Sequence, residues 1–324
     1  ENDDWVFGHL SYDVKNEIEQ LTSQNFDGIQ FPGMFFFVPE IVFILSPDAV
    51  SIGMREDRSD KIFHDILSQV AANKKQQISS FKSRFSQKQY LQAVRELQQH
   101  IIRGDCYEIC FCQEFFAENI LIDPVKVFQK LSRLSPNPFA AFYRYDDKYL
   151  MCASPERFLK KINKTIISQP IKGTSKREGG IQADEQERSA LQLNVKERAE
   201  NIMIVDLVRN DLSKICTEGS VSVKEYLKIY SFPQVHQMIS TITGNLRDHI
   251  SFAEILAATF PMGSMTGAPK KRAMELIEQY EKTKRGLFSG TVGYINPGGD
   301  FDFNVIIRSI LYNESNQYLS IQAG

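Results

Sequence analysis

The chain has 324 residues, of which 42% are hydrophobic and 24% are charged, and its formal net charge is −2. This is the composition of a globular protein rather than a disordered one, and it lacks the basic excess typical of nucleic-acid-binding proteins. The richest apolar run, MFFFVPEIVFIL, is interrupted by Pro39 and Glu40 and is too short to cross a bilayer. We therefore expect a soluble, cytoplasmic protein that has neither nucleic acid nor a membrane as a partner.

Toward the N-terminus the pattern predicts two strands and a helix. Residues 35–45 and 49–54 are rich in aromatic and β-branched side chains and flank a turn at Pro47-Asp48. Residues 60–80 have helical periodicity. The apolar stripe of this predicted helix consists of Ile62, Ile66, Leu67 and Val70.

A stronger amphipathic helix follows. Ser86 can cap its first turn and Gly104 ends it. The side chains expected to be buried along it are Tyr90, Val94, Leu97 and Ile101.

The next predicted strand, at 106–116, contains three of the five cysteines, Cys106, Cys110 and Cys112. Their even spacing would place all three thiols on one face of the strand. No histidine or further cysteine follows at the spacing of a metal site. We therefore expect reduced, structural thiols, as is usual in the cytosol.

The rest of the chain mixes strands and helices without a repeat. A helix opened by Asp123-Pro124 precedes predicted strands at 138–145, 148–161 and 165–174. A loop at 175–185 then leads into one long helix that runs to about Asp211. The remaining predicted elements are a strand at 220–230, a helix at 251–260, a glycine-rich loop and helix over 261–281, and strands at 287–296, 301–312 and 317–324. Because hairpins outnumber βαβ units, we predict an α+β fold with mostly antiparallel sheets, in a single catalytic domain spanning 1–324.

Four segments carry more polar detail than packing requires. They are SPERF with Glu156, PIKGT with Lys172, the acidic helix KERAENIMIVDLVRND, and the loop PMGSMTGAPK. Each also has a structural explanation: a charged helix is usually a solvated face, for example, and GSMTGAPK lacks the spacing of a phosphate-binding loop. From the residues alone, Lys172 is either a solvated lysine at a strand end or a reactive amine aimed at a ligand.

Taken together, these segments resemble the chorismate-utilising enzymes. The resemblance covers nearly the whole chain, in order, through FGHLSYD, GDCYEICFCQEF, SPERF, PIKGT, ERAENIMIVDLVRNDL, FPQVHQMISTITG, FPMGSMTGAPKKRAME, GTVGYI and FNVIIRS. It implies two mostly antiparallel sheets packed face to face and flanked by helices. It also implies that SPNPFAAFY forms one wall of the pocket that binds tryptophan in some relatives.

The residue at position 172 separates the branches of this family. Anthranilate synthases, which aminate chorismate at carbon 2, resemble the chain closely but carry alanine there. Isochorismate and salicylate synthases also carry alanine there, and they place a water-activating lysine at the position of Glu108. The lysine of PIKGT therefore implies the branch that aminates chorismate at carbon 4, giving 4-amino-4-deoxychorismate for para-aminobenzoate and folate synthesis.

The resemblance also implies roles for individual residues. Lys172 would attack carbon 2 of chorismate, and Glu156 would protonate the departing hydroxyl at carbon 4. Such an attack needs a neutral amine, and we expect burial to lower the pKa of Lys172. Glu200 would bind Mg²⁺, a hard cation that prefers carboxylate oxygens. The residues expected to contact or surround chorismate are Gly173, Thr174, His236, Gly263, Ser264, Thr266, Gly267, Tyr294, Arg308 and Gly324.

The ammonia is expected from a glutamine amidotransferase subunit. The alternatives are amination at carbon 2, as in anthranilate synthase component I, and a catalytically silent scaffold that binds the amidotransferase. The resemblance further implies that N-terminal strands are short or missing here. By the same resemblance, the natural chain would continue beyond Gly324 into a helix that bears a second metal-binding glutamate.

Overall fold

The computed structural model describes residues 3–56, 58–69, 77, 80–177 and 179–324. Several helices begin at a side-chain cap, since Ser86, Asp123, Asn194 and Ser251 each accept a hydrogen bond from a backbone N–H of the first turn. The helices are α1 (Lys15–Glu19), α2 (Ser59–Ser68), α3 (Gln87–Ile102), α4 (Pro124–Leu134), α5 (Ile181–Leu193), α6 (Val195–Ser213), α7 (Phe252–Thr259) and α8 (Lys270–Tyr280).

The strands are, in chain order, β1 (Val6–Leu10), β2 (Met34–Phe37), β3 (Ile41–Leu45), β4 (Val50–Met54), β5 (Lys82–Ser83), β6 (Glu108–Ile109), β7 (Gln113–Ala117), β8 (Phe139–Tyr145), β9 (Lys148–Ser154), β10 (Arg157–Ile162), β11 (Thr165–Gln169), β12 (Ile171–Lys176), β13 (Ser222–Ser231), β14 (Val235–Asn245), β15 (Gly267–Ala268), β16 (Thr291–Ile295), β17 (Phe301–Asn304), β18 (Ser309–Asn313) and β19 (Tyr318–Ala323). Short 3₁₀ turns occur at Tyr12–Val14 and Gly263–Met265.

The larger sheet has nine strands in the order β12–β14–β11–β10–β17–β16–β1–β2, with β13 also paired to β14. Its described pairings are antiparallel. The strands β11 and β12 follow each other along one edge of β14, separated by Pro170, while β13 occupies the other edge. Because proline has no backbone N–H to donate, it interrupts the ladder between β11 and β12.

The second sheet has six antiparallel strands in the order β5–β7–β19–β18–β9–β8. One buried apolar cluster joins it to the larger sheet and to two helices. Its members include Leu10, Phe158, Ile166 and Phe303 from the larger sheet, Phe116, Leu150 and Leu311 from the smaller one, and Ile204, Leu212 and Ile255 from α6 and α7. The predicted α+β fold with mostly antiparallel sheets is confirmed.

Two further pairs of strands are small. The hairpin β3–β4 turns at Pro47-Asp48, as predicted. The strand β6 pairs with β15, with Ala268 opposite Glu108. This second pairing matters for function because it brings the glycine-rich loop against the cysteine-containing segment.

Two predicted helices are present, and each differs from its prediction in extent or in burial. In α3, Ser86 and Gln89 form a reciprocal capping box, and Leu97 is buried while Ile101 is 37% exposed. The helix α2 ends at Ser68, short of the predicted residue 80, and Gln77 pairs with Leu121 in a β-bridge. Ile66 of its apolar stripe is 50% exposed. Val70 lies outside the described residues.

Other predicted boundaries are corrected by breaks in the chain. The long helix predicted up to Asp211 is two helices, because Asn194 ends α5 and caps α6. The predicted strand at 106–116 is also two strands, since Cys110 to Cys112 leave the ladder between β6 and β7. The buried strand β14 was not predicted. No helix within the described ranges has both the length and the apolar character needed to span a membrane.

Candidate active site

The candidate active site is a cavity of about 600 Å³. Its walls come from β12, β14, the turn before β15, and the connections β9–β10 and β17–β18. A cavity of this volume suits a small-molecule ligand. The residues around it include Cys110, Glu156, Lys172, Thr174, Gln237, Ser264, Phe288, Arg308 and Gly324.

Lys172 is placed in the cavity by a β-bulge. The register between β12 and β14 shifts after Ile171, so that Lys172 and Gly173 together stand opposite Met238. Gly173 has a φ of +95°, and a Cβ on it would lie 3.3 Å from Oε2 of Glu197. Glycine is therefore favoured at 173 by both backbone conformation and space.

The bulge is held from the other side by Asn201 of α6. Its Nδ2 donates to the carbonyl oxygens of Lys172 and Met238, at 3.1 Å each. Its Oδ1 accepts a hydrogen bond of 2.7 Å from Ser240 Oγ. Because Asn201 is only 1% exposed and its side chain makes three hydrogen bonds, it fixes the backbone of Lys172.

The amine of Lys172 forms an ion pair with Oε1 of Glu108. Both side chains are largely buried, with 18% of Lys172 and 12% of Glu108 exposed. Burial acts to lower the pKa of Lys172, but the negative charges of Cys110, Glu108 and Glu200 outweigh it, and the pKa is raised above its ordinary value. The expectation that burial lowers this pKa is therefore wrong for the substrate-free protein. Lys172 rests there as an ammonium.

Glu156 lies in the connection between β9 and β10 and is 3% exposed. Burial raises the pKa of its carboxyl to about 7, although hydrogen bonds from Ser264 and from the backbone of Ile171 act in the opposite direction. The bond from Ser264 Oγ to Glu156 Oε1 is 2.7 Å long. Near neutral pH a substantial fraction of Glu156 is therefore protonated, which is the state that a general acid needs.

Two further polar groups in the cavity lack partners. Arg308 has a φ of +50°, and no carboxylate of the described residues lies within ion-pair distance of its guanidinium. Burial lowers the pKa of Arg308, and it remains a cation. Gln237 is 2% exposed, and its Oε1 has no hydrogen-bond partner in the described part of the chain. Both groups are available to a polar ligand, and the guanidinium suits a carboxylate.

Cys110 adds a second ionisable group beside Lys172. Its Sγ lies 3.9 Å from that of Cys112. A hydrogen bond from Cys112, together with the positive charges of Arg285 and Lys172, lowers the pKa of Cys110 to about 6 in spite of burial. The two thiols are free, as expected, but Cys110 lines the cavity rather than a packed strand face.

A fully buried ion pair anchors this segment. Arg285 donates to both carboxylate oxygens of Glu281, at 3.0 and 2.7 Å. Its guanidinium also donates to the carbonyl oxygens of Met265 and Cys110, at 2.5 and 2.7 Å. Glu281 in turn accepts the backbone N–H of Cys112 at 2.8 Å. One side-chain pair thus joins the glycine-rich loop to the cysteine segment.

The comparisons with known proteins identify the family and the fold of this chain. The family described as chorismate binding enzyme matches residues 1–324. The chain belongs to the chorismate-binding enzymes. Within this family, aminodeoxychorismate synthase component 1 of Salmonella typhimurium is 39% identical over 76% of the chain, and that of Bacillus subtilis is 31% identical over 98% of it.

A solved structure shows the shared fold. Anthranilate synthase component I from Streptococcus pneumoniae is 28% identical and superposes with a TM-score of 0.86 over 98% of this chain and 74% of its own. The chain spans about half the length of the Salmonella relative, 54%, and 71% of the Bacillus relative. The chorismate-binding fold with its antiparallel sheets is thereby confirmed.

The acidic helix offers carboxylates for the magnesium ion expected in this family. Glu197 and Glu200 of α6 lie 3.8 and 3.2 Å from the amine of Lys196. Glu197 Oε2 approaches the backbone of Gly173, and the charge of Glu200 acts on Lys172. Mg²⁺ keeps several waters and uses one or two protein carboxylates, so these residues fit it chemically. Within the described ranges no three potential metal ligands cluster together.

Several residues expected near the ligand lie elsewhere. The ring nitrogens of His236 face Asp184 and Ser231, at 3.1 and 2.9 Å, so neither nitrogen reaches the cavity. The neighbour of His236, Gln237, lines the cavity instead, because successive residues of β14 face opposite sides of the sheet.

Tyr294 lies in a second cavity of about 770 Å³ that also includes Pro138 to Arg144. Its ring contacts Trp5, with the ring centroids 5.4 Å apart. Tyr294 thus does not line the cavity of Lys172, and its contact with the ligand stays a prediction. Among the described residues, Phe288 is the aromatic side chain that lines the first cavity.

Three small residues of the glycine-rich loop have packing roles instead. Gly263 faces Leu207, Thr266 bonds back to Met262 within its own turn, and a Cβ on Gly267 would lie 2.1 Å from the carbonyl oxygen of Glu108. They hold the loop against its neighbours, while Ser264 alone of the four predicted small residues lines the cavity.

Proposed function

We propose that the chain converts chorismate and ammonia to 4-amino-4-deoxychorismate, with Lys172 as nucleophile and Glu156 as general acid. The observation that carries this proposal is that both residues line one cavity together with Arg308. An amine stands where the resemblance places alanine in the enzymes that aminate carbon 2. The names of the Salmonella and Bacillus relatives support the same reaction.

In the proposed mechanism, Arg308 and the hydroxyl of Thr174 hold the carboxylates of chorismate. Neutral Lys172 attacks carbon 2, both ring double bonds shift, and the bond from carbon 4 to oxygen breaks while Glu156 gives its proton to the departing hydroxyl. Ammonia then adds at carbon 4, both double bonds shift back, and the bond between Lys172 and carbon 2 breaks to release the amine. The carboxylate of Glu156 takes a proton from the added nitrogen, which restores the general acid. The overall change is chorismate plus ammonia to product plus water.

The polar surroundings fit each of these steps. Because the carboxyl of Glu156 is buried, a substantial fraction of it is protonated near neutral pH. The bulge held by Asn201 fixes the starting point of the Lys172 side chain, which reduces the entropy lost in reaching carbon 2. Mg²⁺ held by Glu200, with Glu197 beside it, would supply positive charge for a substrate carboxylate.

The decisive test is the product formed from chorismate, Mg²⁺ and ammonium salt, identified by mass. We expect 4-amino-4-deoxychorismate without release of pyruvate. Formation of anthranilate, which is fluorescent and is accompanied by pyruvate, would favour the second candidate function. That candidate is supported by the likeness to the Streptococcus pneumoniae structure. Absence of any turnover would favour a silent scaffold.

A further inference from the structure

The nucleophilic role of Lys172 creates a requirement that Glu156 cannot meet. The raised pKa of Lys172 means that its amine carries a proton before the reaction, and an ammonium has no electron pair with which to attack. Some group has to accept that proton. Glu156 is unsuited to this task because the mechanism needs it as a proton donor.

Among the described residues, acidic groups from several elements act on Lys172. They are Glu108 of β6, Cys110 next to that strand, Glu156 between β9 and β10, and Glu200 of α6. Two cationic side chains lie near these acids: Lys196 is close to Glu200, and Arg308 is close to Glu156. Among the described residues only Glu108 lies within ion-pair distance of the Lys172 amine. Glu200 instead pairs with Lys196, at 3.2 Å.

The surroundings of the second carboxylate oxygen of Glu108, Oε2, indicate that this side chain can accept a proton. Its Oε2 is buried and has no hydrogen-bond partner among the residues that the structure describes. The carboxylate can therefore take up a proton without losing a hydrogen bond at Oε2. The backbone of Glu108 is fixed by β15, which crosses it closely at Gly267.

We propose that Glu108 is the catalytic base that takes the proton from Lys172 when chorismate fills the cavity. This inference rests on the proposed function and adds a residue to its machinery. One N–H bond of the Lys172 ammonium breaks, its electron pair stays on nitrogen, and the proton forms an O–H bond on Glu108. A bound ligand excludes water from the pair, and a low dielectric favours the neutral amine and acid over the two charges. After the amine is released, the proton returns to it.

The test isolates the attack on carbon 2 by leaving out ammonia. With chorismate alone, intact mass follows the rate at which an adduct forms on Lys172. Glu108→Gln keeps the shape of the side chain but cannot accept a proton, and we expect its rate to fall by roughly 10²–10⁴-fold. Below pH about 7, where Glu156 stays protonated, the remaining rate should rise tenfold per pH unit, whereas the parent rate stays flat. Formate should partly restore Glu108→Ala.

A residue that only positions Lys172 would change neither the pH dependence nor the response to formate. Glu118→Gln is the matched control, because this exposed glutamate pairs with a lysine on the surface, Lys82, and should retain the parent profile. A Glu108→Gln enzyme with parental rate and a flat profile would overturn the proposal, and a loss in Cys110→Ser alone would assign the base to Cys110.

The two proposals fail in different ways. If the parent protein forms neither an adduct nor an amination product, both the proposed function and the role of Glu108 are rejected. If the parent forms both and Glu108→Gln does so equally well, only the role of Glu108 is rejected.

Discussion

At the scale of single residues, the covalent route depends on one amine. Replacing Lys172 by alanine should lower formation of 4-amino-4-deoxychorismate by at least roughly 10⁴-fold, as expected for loss of a nucleophile. Folding should survive, because Lys172 sits at a bulge and contributes no apolar packing to the core. Ammonium-dependent product formation measures the effect, with thermal unfolding as the control. A variant that aminates at close to the parental rate would reduce Lys172 to a carboxylate contact.

The general acid gives a pH signature. Glu156 acts only when protonated, and its pKa of about 7 means that the protonated fraction is high below this pH and falls tenfold for each unit above it. We therefore expect kcat/KM for chorismate, which precedes ammonia addition, to be flat below about pH 7 and to decline above it. Glu156→Gln should be slower by about 10²–10⁴-fold and should lack this decline. If kcat/KM of Glu156→Gln declined at high pH as that of the parent does, another titrating group would be responsible for the decline.

Much of the candidate site could be predicted from local motifs, and the remainder could not for physical reasons. Lys172, Glu156 and Arg308 each belong to a short motif and do line one cavity. Choosing between His236 and its neighbour requires the face of β14, which only the register with other strands decides. The pairing of Glu108 with Lys172 joins distant segments, and no local pattern contains it.

At the scale of elements, the buried pair of Arg285 and Glu281 joins segments that carry no sequence signal for each other. Arg285→Leu leaves Glu281 as an uncompensated buried carboxylate, and we expect it to lower the free energy of unfolding by about 3–5 kcal/mol. Denaturant titration measures this. Arg272→Leu, which removes a partly exposed pair with Glu275, is the matched control and should cost at most about 1 kcal/mol.

The double variant Arg285→Leu with Glu281→Leu provides the second check. Because both charges are then removed, it should cost less than the sum of the single changes. Equal costs for Arg285→Leu and Arg272→Leu would show that the buried pair contributes no more than a surface pair.

The elements themselves were predictable where a cap or a turn marks an end. Ser86, Asp123 and Pro47-Asp48 are such marks, and the structure follows them. Asn194 is also a cap, yet it stands between two stretches that both have helical character, so the sequence alone suggested one helix. The strand β14 was not predicted because polar side chains such as Ser240 and Asn245 interrupt its apolar pattern.

At the scale of the whole molecule, the surroundings of the cysteines bear on which nitrogen source the protein can use. None of the five cysteines is in hydrogen-bond contact with a histidine in the part of the chain that the structure describes. Glutamine hydrolysis by a cysteine nucleophile needs such a base. We expect the purified protein to use ammonium salts and not glutamine, as measured by product formation with each nitrogen source. Turnover of glutamine by this chain alone would contradict the need for an amidotransferase partner.

The single domain predicted for 1–324 stays a prediction.

The ion pair between Lys172 and Glu108 also affects how fast Lys172 is chemically modified during storage. Electrophiles such as cyanate react only with unprotonated amines, and the raised pKa of Lys172 keeps its amine protonated in the absence of ligand. The most reactive lysine during turnover should then be one of the least reactive during storage. Peptide mapping after cyanate exposure should find carbamylation at exposed Lys224 before it reaches Lys172, and Glu108→Gln should narrow that gap.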